Sequence, residues 1–253
     1  MVKAKIKTFR EQTSIQEEVV NLIASSIEPP IYYHSGKVHR GFIFTKPGAE
    51  HFCLLKAARA VSGLNAVIVL CEHGYPQEIA VLIRTIVECT THIDYVLAGY
   101  DENGLKEKQR KFVEQYFADF RRDNVSDFGR LRVRQGDVHK VVGAHTDKQI
   151  RKIESASEFH EVNTPELLSN VYLTYSNYVH CRYPEAMDLY GGVPPHFHMK
   201  GMLGTPKDAE NMAIVETFLE TVSIALKFMV LKFGMIEEIR KNTRLLEWYH
   251  TRA

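Results

Sequence analysis

Nineteen residues, Ile79 to Leu97, form the most constraining stretch of the chain. IAVLIRTIVECTTHIDYVL is apolar at helical spacing, yet Arg84 and Glu88 are set into it. Residues four apart share a helix face, so the two charges are neighbours. Leu82, Ile83, Ile86 and Val87 surround them. A charged pair in such a run is either buried and satisfied by further hydrogen bonds or it lines a site.

The preceding run, Phe52 to Leu70, is also apolar, but it carries Lys56, Arg59 and Asn65. This reads as a buried helix and not as a membrane span. Thr45 is a candidate cap, with Pro47 in the first turn. Gly74 supplies a stop and Pro76 a restart, so helices 45–73 and 76–98 should be antiparallel neighbours. Ala57, Ala58, Ala60, Ser62, Gly63 and Ala66 are small enough to allow a close approach.

Around this hairpin the pattern stays helical. Ser14 and Glu17 have capping-box spacing ahead of Val19, Leu22, Ile23 and Ile27, and Pro29-Pro30 end that run. Residues 31–45 read as an extended linker. Gly99 closes the arginine helix, and Asp101 is a candidate cap for a helix through Phe112 and Phe117. Val138, Val141, Val142 and Ile153 mark a further helix. Thr164-Pro165 opens the next, which Pro184 breaks or bends. Thr205-Pro206 opens a long helix that Gly234 interrupts, and a last helix carries Ile236 to Tyr249.

No series of strands with hairpin turns is present, which predicts an all-α, single-domain bundle of seven or eight helices. Its expected parts are an N-terminal helix and linker (1–46), a core (47–183), a loop (184–204) and C-terminal helices (205–253). The net charge of +1 gives no global field toward nucleic acid or membrane. The N-terminus lacks the apolar core of a secretory signal. Cys53, Cys71, Cys89 and Cys181 form no C-x-x-C pair and read as free thiols of a reducing cytoplasm.

Glycine-rich phosphate loops, H-E-x-x-H and G-x-S-x-G are absent. The candidate site is therefore a constellation: Arg84, Glu88, Ser176 and His180. Arg84 suits a phosphate or carboxylate, and His180 suits proton transfer. Ser176 lies four residues before His180, but nothing in the sequence marks an oxyanion hole. Equally, Tyr175, Ser176 or His180 could satisfy a structural Arg84–Glu88 pair. His196 and His198 lack a third ligand at recognisable spacing, so no metal and no cofactor are expected. Between Arg121 and Lys152 nine basic residues face four aspartates. Arg121, Arg122, Arg130, Arg132 and Arg134 are candidate RNA contacts there, against the plainer reading of a solvated face.

Leu82-Ile-Arg84-Thr-Ile-Val-Glu88 and Tyr175-Ser176-Asn-Tyr-Val-His180, with Gly74-Tyr-Pro-Gln-Glu78 before them, resemble the signature helices of a bacterial family, the domain of unknown function 5677 family. The resemblance covers Phe52 to Tyr183 and implies an all-helical fold. More remotely the chain is similar to the HEPN superfamily of helical dimers, many of them metal-independent ribonucleases of toxin and antiviral systems. The superfamily motif is an Arg, four to six residues, then a His. Arg134 and His139 have that spacing, whereas Arg84 and His180 would have to meet in space. The resemblance implies an RNA-cleaving or RNA-binding protein of bacterial stress or phage defence. The alternative is a non-catalytic interaction or scaffold module, with Tyr32-Tyr33 and Trp248-Tyr249 available to a partner or a homodimer.

Overall fold

The computed structural model describes residues 2–35, 39–118, 164–190 and 197–251. Among these residues the chain is predominantly helical, with nine α-helices and two small β-ribbons. The helices are α1 (Val2–Ser25), α2 (Ala49–His73), α3 (Pro76–Ala98), α4 (Glu107–Ala118), α5 (Thr164–Val179), α6 (Tyr183–Met187), α7 (Pro206–Lys232), α8 (Ile236–Arg240) and α9 (Thr243–His250).

The α2–α3 hairpin is the centre, as its apolar sequence predicts, and α1 and α7 complete a four-helix group around it. Each of the four contributes one apolar stripe at helical spacing. Ile6, Phe9, Val19 and Ile23 come from α1; Phe52, Leu64, Val67 and Ile68 from α2; Ile79, Ile83, Ile86 and Ile93 from α3. Val215, Leu219, Val222, Leu226 and Met229 come from α7, and all these side chains are buried. Fully burying a Leu, Ile or Phe side chain contributes about 1.5–3 kcal/mol, so this single core outweighs the polar contacts at the periphery.

Gly74 ends α2 in the left-handed conformation, φ +70°, and its N–H reaches the Cys71 carbonyl. Pro76 then opens α3 in its first turn. Where α2 crosses α3, a Cβ on Gly63 would lie 3.0 Å from the Ile86 side chain. The small residues are thus only partly used for this approach. Ala57, Ala60 and Gly63 are buried, but Ala58, Ser62 and Ala66 face outward.

Several expected boundaries differ. Helix α1 begins at Val2, so Ser14 and Glu17 lie inside it and form no cap. Gln16, buried on the same helix, instead donates to the Leu219 carbonyl and to Ser223 Oγ, both at 2.9 Å. Residues 31–45 are not a plain linker. Strands β1 (Ile31–Ser35) and β2 (His39–Ile43) pair antiparallel, with Tyr32 opposite Phe42. The cap of α2 is Gly48, because Thr45 donates to Glu28 at 3.0 Å and Pro47 precedes the helix. Asp101 starts no helix. It sits in β3 (Tyr100–Asp101), paired with β4 (Gly104–Leu105), and accepts the Asn103 N–H at 2.9 Å. The last helix is two, α8 and α9, because Asn242 accepts the N–H groups of Arg244 and Leu245 and restarts the turn.

Among the described residues one helix, α2, is long and apolar enough to cross a membrane. In this fold it packs against α1, α3 and α7. Trp248 is half-buried against α7, with Nε1 3.4 Å from Ser223 Oγ and Lys227 Nζ 5.3 Å from its ring centroid. That packing commits it to the fold and leaves Tyr32, 60% exposed, as the freer aromatic.

Candidate anion-binding site

Helix α5 lies along the outer side of α3. Two bonds set α5 and the short α6 that follows it against α3. Arg84 Nη2 donates to the Tyr172 hydroxyl at 2.5 Å, and Gln77 Nε2 donates to the Glu185 carbonyl at 2.7 Å. Lower numbers on α3 therefore meet higher numbers on the opposing segment, and the two helices run antiparallel.

This register locates the sequence candidates. Arg84 and Glu88 are together, Nη1 to Oε2 3.7 Å, with side chains 26% and 34% exposed. The pair is neither sealed in the core nor free in solvent. The Arg84 guanidinium also lies 4.8 Å from the centroid of the Tyr172 ring. Its Nε is buried with no hydrogen-bond partner among the described residues.

Ser176 and His180 do not join this group. Ser176 is half-buried, and its carbonyl accepts the His180 N–H at 3.1 Å in ordinary helical fashion. His180 is exposed, at the end of α5. Eight residues separate it from Tyr172, about 12 Å of helix rise, in the direction away from Glu88. No side-chain hydrogen bond or ion pair ties Ser176 or His180 to Arg84 or Glu88. The partner that Arg84 does have, Tyr172, is not among the candidates the sequence offers. Helical spacing alone does not show which turn of α5 faces Arg84.

Beyond His180 the chain turns sharply. Cys181 has φ +47°, the one non-glycine residue with positive φ among those described. Arg182 and Tyr183 follow, both exposed, Tyr183 at 78%. Pro184 then sits in the first turn of α6, where it starts a helix instead of breaking one. The corner is fixed from inside by Tyr178, whose hydroxyl donates to Asp188 at 2.6 Å. Burial, then the Asp188 carboxylate, pushes the Tyr178 hydroxyl well above its ordinary range.

Arg121, Arg122, Arg130, Arg132 and Arg134, with His139, lie outside the described residues, as does His196. His198 is half-buried, and its backbone N–H donates to the Leu189 carbonyl at 2.7 Å. Among the described residues no three His, Cys, Asp or Glu side chains are placed to hold a metal ion. The chemistry on offer is that of a positioned guanidinium beside an aromatic ring, with an exposed imidazole two turns away.

Fold and site together define an all-helical domain in which an arginine on a central hairpin helix meets a tyrosine on an outer helix. Residues 50–193 match the model of a family of unknown function, DUF5677, and the chain belongs to that family. No curated protein matches the chain, and no solved structure does.

Proposed function

We propose that this protein binds RNA, with Arg84 as a phosphate contact. The observation that carries the reading is the state of its guanidinium. It is pinned by Tyr172, only distantly paired with Glu88, buried at Nε without an acceptor, and still partly open to solvent. A guanidinium held in one orientation loses little entropy on taking a phosphate oxygen. Exposed Arg182 and Tyr183, just beyond the end of α5, add a second cation and a ring on which a base can stack. The setting in bacterial stress or phage defence, and the dimeric state, rest on the HEPN-like resemblance alone.

Cleavage is the stronger form of this proposal, with His180 moving a proton to or from the ribose hydroxyl or leaving oxygen. An RNA reaching from Arg84 to His180 would have to span the turns between them. Fluorescence anisotropy with labelled RNA tests binding. Arg84→Ala should weaken it by about tenfold, a loss within the range for one charge-assisted contact. Gel analysis of the same RNA tests cleavage, which His180→Ala should abolish. Absence of saturable RNA binding by the unmodified chain would overturn the proposal.

One observation favours the non-catalytic module instead. The Arg84–Tyr172 contact joins α3 to α5, so its purpose could be to hold the outer helix in place. Under that reading Arg84→Ala loosens α5 and leaves RNA unbound in every variant.

A further inference from the structure

A cleft of about 480 Å³ opens where the end of α1, the start of α2 and the end of α7 meet. It is separate from the Arg84 site. Tyr100 on its wall lies sixteen residues beyond Arg84, roughly 24 Å along the direction of α3.

The lining has three distinct parts. The first is apolar and comes from Ile23, Ile27 and Met235. The second is aromatic: Tyr100 and Phe233 meet edge to face with centroids 5.6 Å apart. The third is ionisable, with the carboxylates of Glu28, Glu50 and Glu238 set against Lys232 and His51. Local bonds hold most of these groups in place. The Tyr100 hydroxyl donates to Glu50 at 2.6 Å, Thr45 donates to Glu28 at 3.0 Å, and Lys232 Nζ donates to the Tyr100 carbonyl at 3.1 Å. The Glu238 carboxylate has no hydrogen-bond or ion-pair partner among the described residues.

Each part asks for something of a ligand. Carboxylate acceptors and ring faces both stabilise an ammonium group. The apolar part stabilises a hydrocarbon stem attached to it. An anion would meet three carboxylates. A bare metal ion would find no ready group of three ligands and would gain nothing from the apolar wall.

We propose that this cleft binds a small alkylammonium compound of the diamine or polyamine class. Such a ligand bridges the segment after α1, the start of α2, the end of α7 and α8. Binding to the folded state alone raises the midpoint of thermal unfolding in proportion to occupancy.

The test is thermal unfolding of the full chain titrated with spermidine, with magnesium chloride at matched ionic strength as the charge control. Spermidine should raise Tm saturably and by more than magnesium does. Glu238→Gln keeps the shape of a half-buried side chain that no group among the described residues holds, so it should fold normally and weaken spermidine binding by about tenfold. Glu28→Gln combined with Glu238→Gln should remove the saturable shift. The proposal is overturned if spermidine gives no saturable shift, if magnesium reproduces it, or if the double variant retains it.

Discussion

The Arg84 guanidinium meets Tyr172 twice, through a 2.5 Å hydrogen bond to the hydroxyl and through the face of the ring at 4.8 Å. The arginine's closest bond is thus to the outer helix, and its pairing with Glu88 on its own helix is the looser one at 3.7 Å.

The first prediction follows from that ranking. Truncating one side of a fully buried ion pair costs 3–5 kcal/mol, but here both side chains keep contact with solvent. Arg84→Ala should therefore destabilise by about 1–2 kcal/mol. Tyr172→Phe keeps the ring and loses the hydroxyl, at about 0.5–1.5 kcal/mol. Denaturant melts of both single variants and the double variant should show coupling, while Glu88→Gln should change little. Additive single-variant losses would mean that the contact holds nothing.

Much of this architecture is legible in the sequence because it depends on local chemistry. Gly74 and Pro76 act on their own turn, and a connection that short makes the apolar runs on either side antiparallel neighbours. Arg84 and Glu88 are neighbours through helix geometry alone. What the sequence hides is register between distant segments. Tyr172 is one of several ring-bearing residues on α5, and its selection depends on how far α5 slides along α3. Thr45 and Asp101 mislead for a related reason. Each is a good cap by type, but Thr45 is drawn to Glu28 and Asp101 to a turn within its own ribbon. Ser14 and Glu17 have capping spacing inside a helix that propagates through them.

A second prediction concerns Asp94 on α3. Its Oδ1 is buried without a hydrogen-bond partner, and desolvation pushes the carboxyl up to about 7 from 3.8. The folded protein thus holds this proton more tightly than the unfolded chain does. Stability is fullest below pH 4, falls as pH rises from about 4 to about 7, and levels off above that. The contribution is up to about 4 kcal/mol. Asp94→Asn should flatten this part of the pH profile and stabilise the protein most at pH 8, as read from urea melts across pH. An unchanged profile would show that Asp94 titrates normally.

The turn between α2 and α3 supplies a third. Met202 donates its N–H to the Gly74 carbonyl at 2.6 Å, so the segment before α7 is laid directly on the turn. Gly201 has φ +99°, and a Cβ there would fall 2.2 Å from the His73 carbonyl oxygen. Gly74 has φ +70°, and its Cβ would fall 2.6 Å from the Leu203 nitrogen. In both cases the obstacle is backbone, which cannot rotate away as a side chain can. Gly201→Ala and Gly74→Ala should each cost more than the ~1–2 kcal/mol of left-handed backbone alone. Gly204, also at positive φ but with open space around its Cβ position, should show only that backbone term. Equal losses at all three positions in thermal melts would refute the steric part of the argument.

The cysteines give the last prediction. Cys53, Cys71 and Cys89 are buried and Cys181 is exposed. Burial pushes the Cys53 thiol well above its ordinary value, with Glu50 and Asp94 adding to the effect, and burial likewise raises Cys89. The thiolate is the reactive form, so these two are protected both by access and by protonation. Cys181 lacks the first protection, and it sits at the corner where Arg182 and Tyr183 are also exposed. Under native conditions a thiol reagent should label one cysteine rapidly, and Cys181→Ser should remove that phase. The other three should react only at the rate of unfolding. If Arg182 and Tyr183 contact RNA as proposed, saturating RNA should slow Cys181 labelling and leave the slow phase unaltered. Rapid labelling that survives Cys181→Ser would show that the central helices open far more readily than their packing implies.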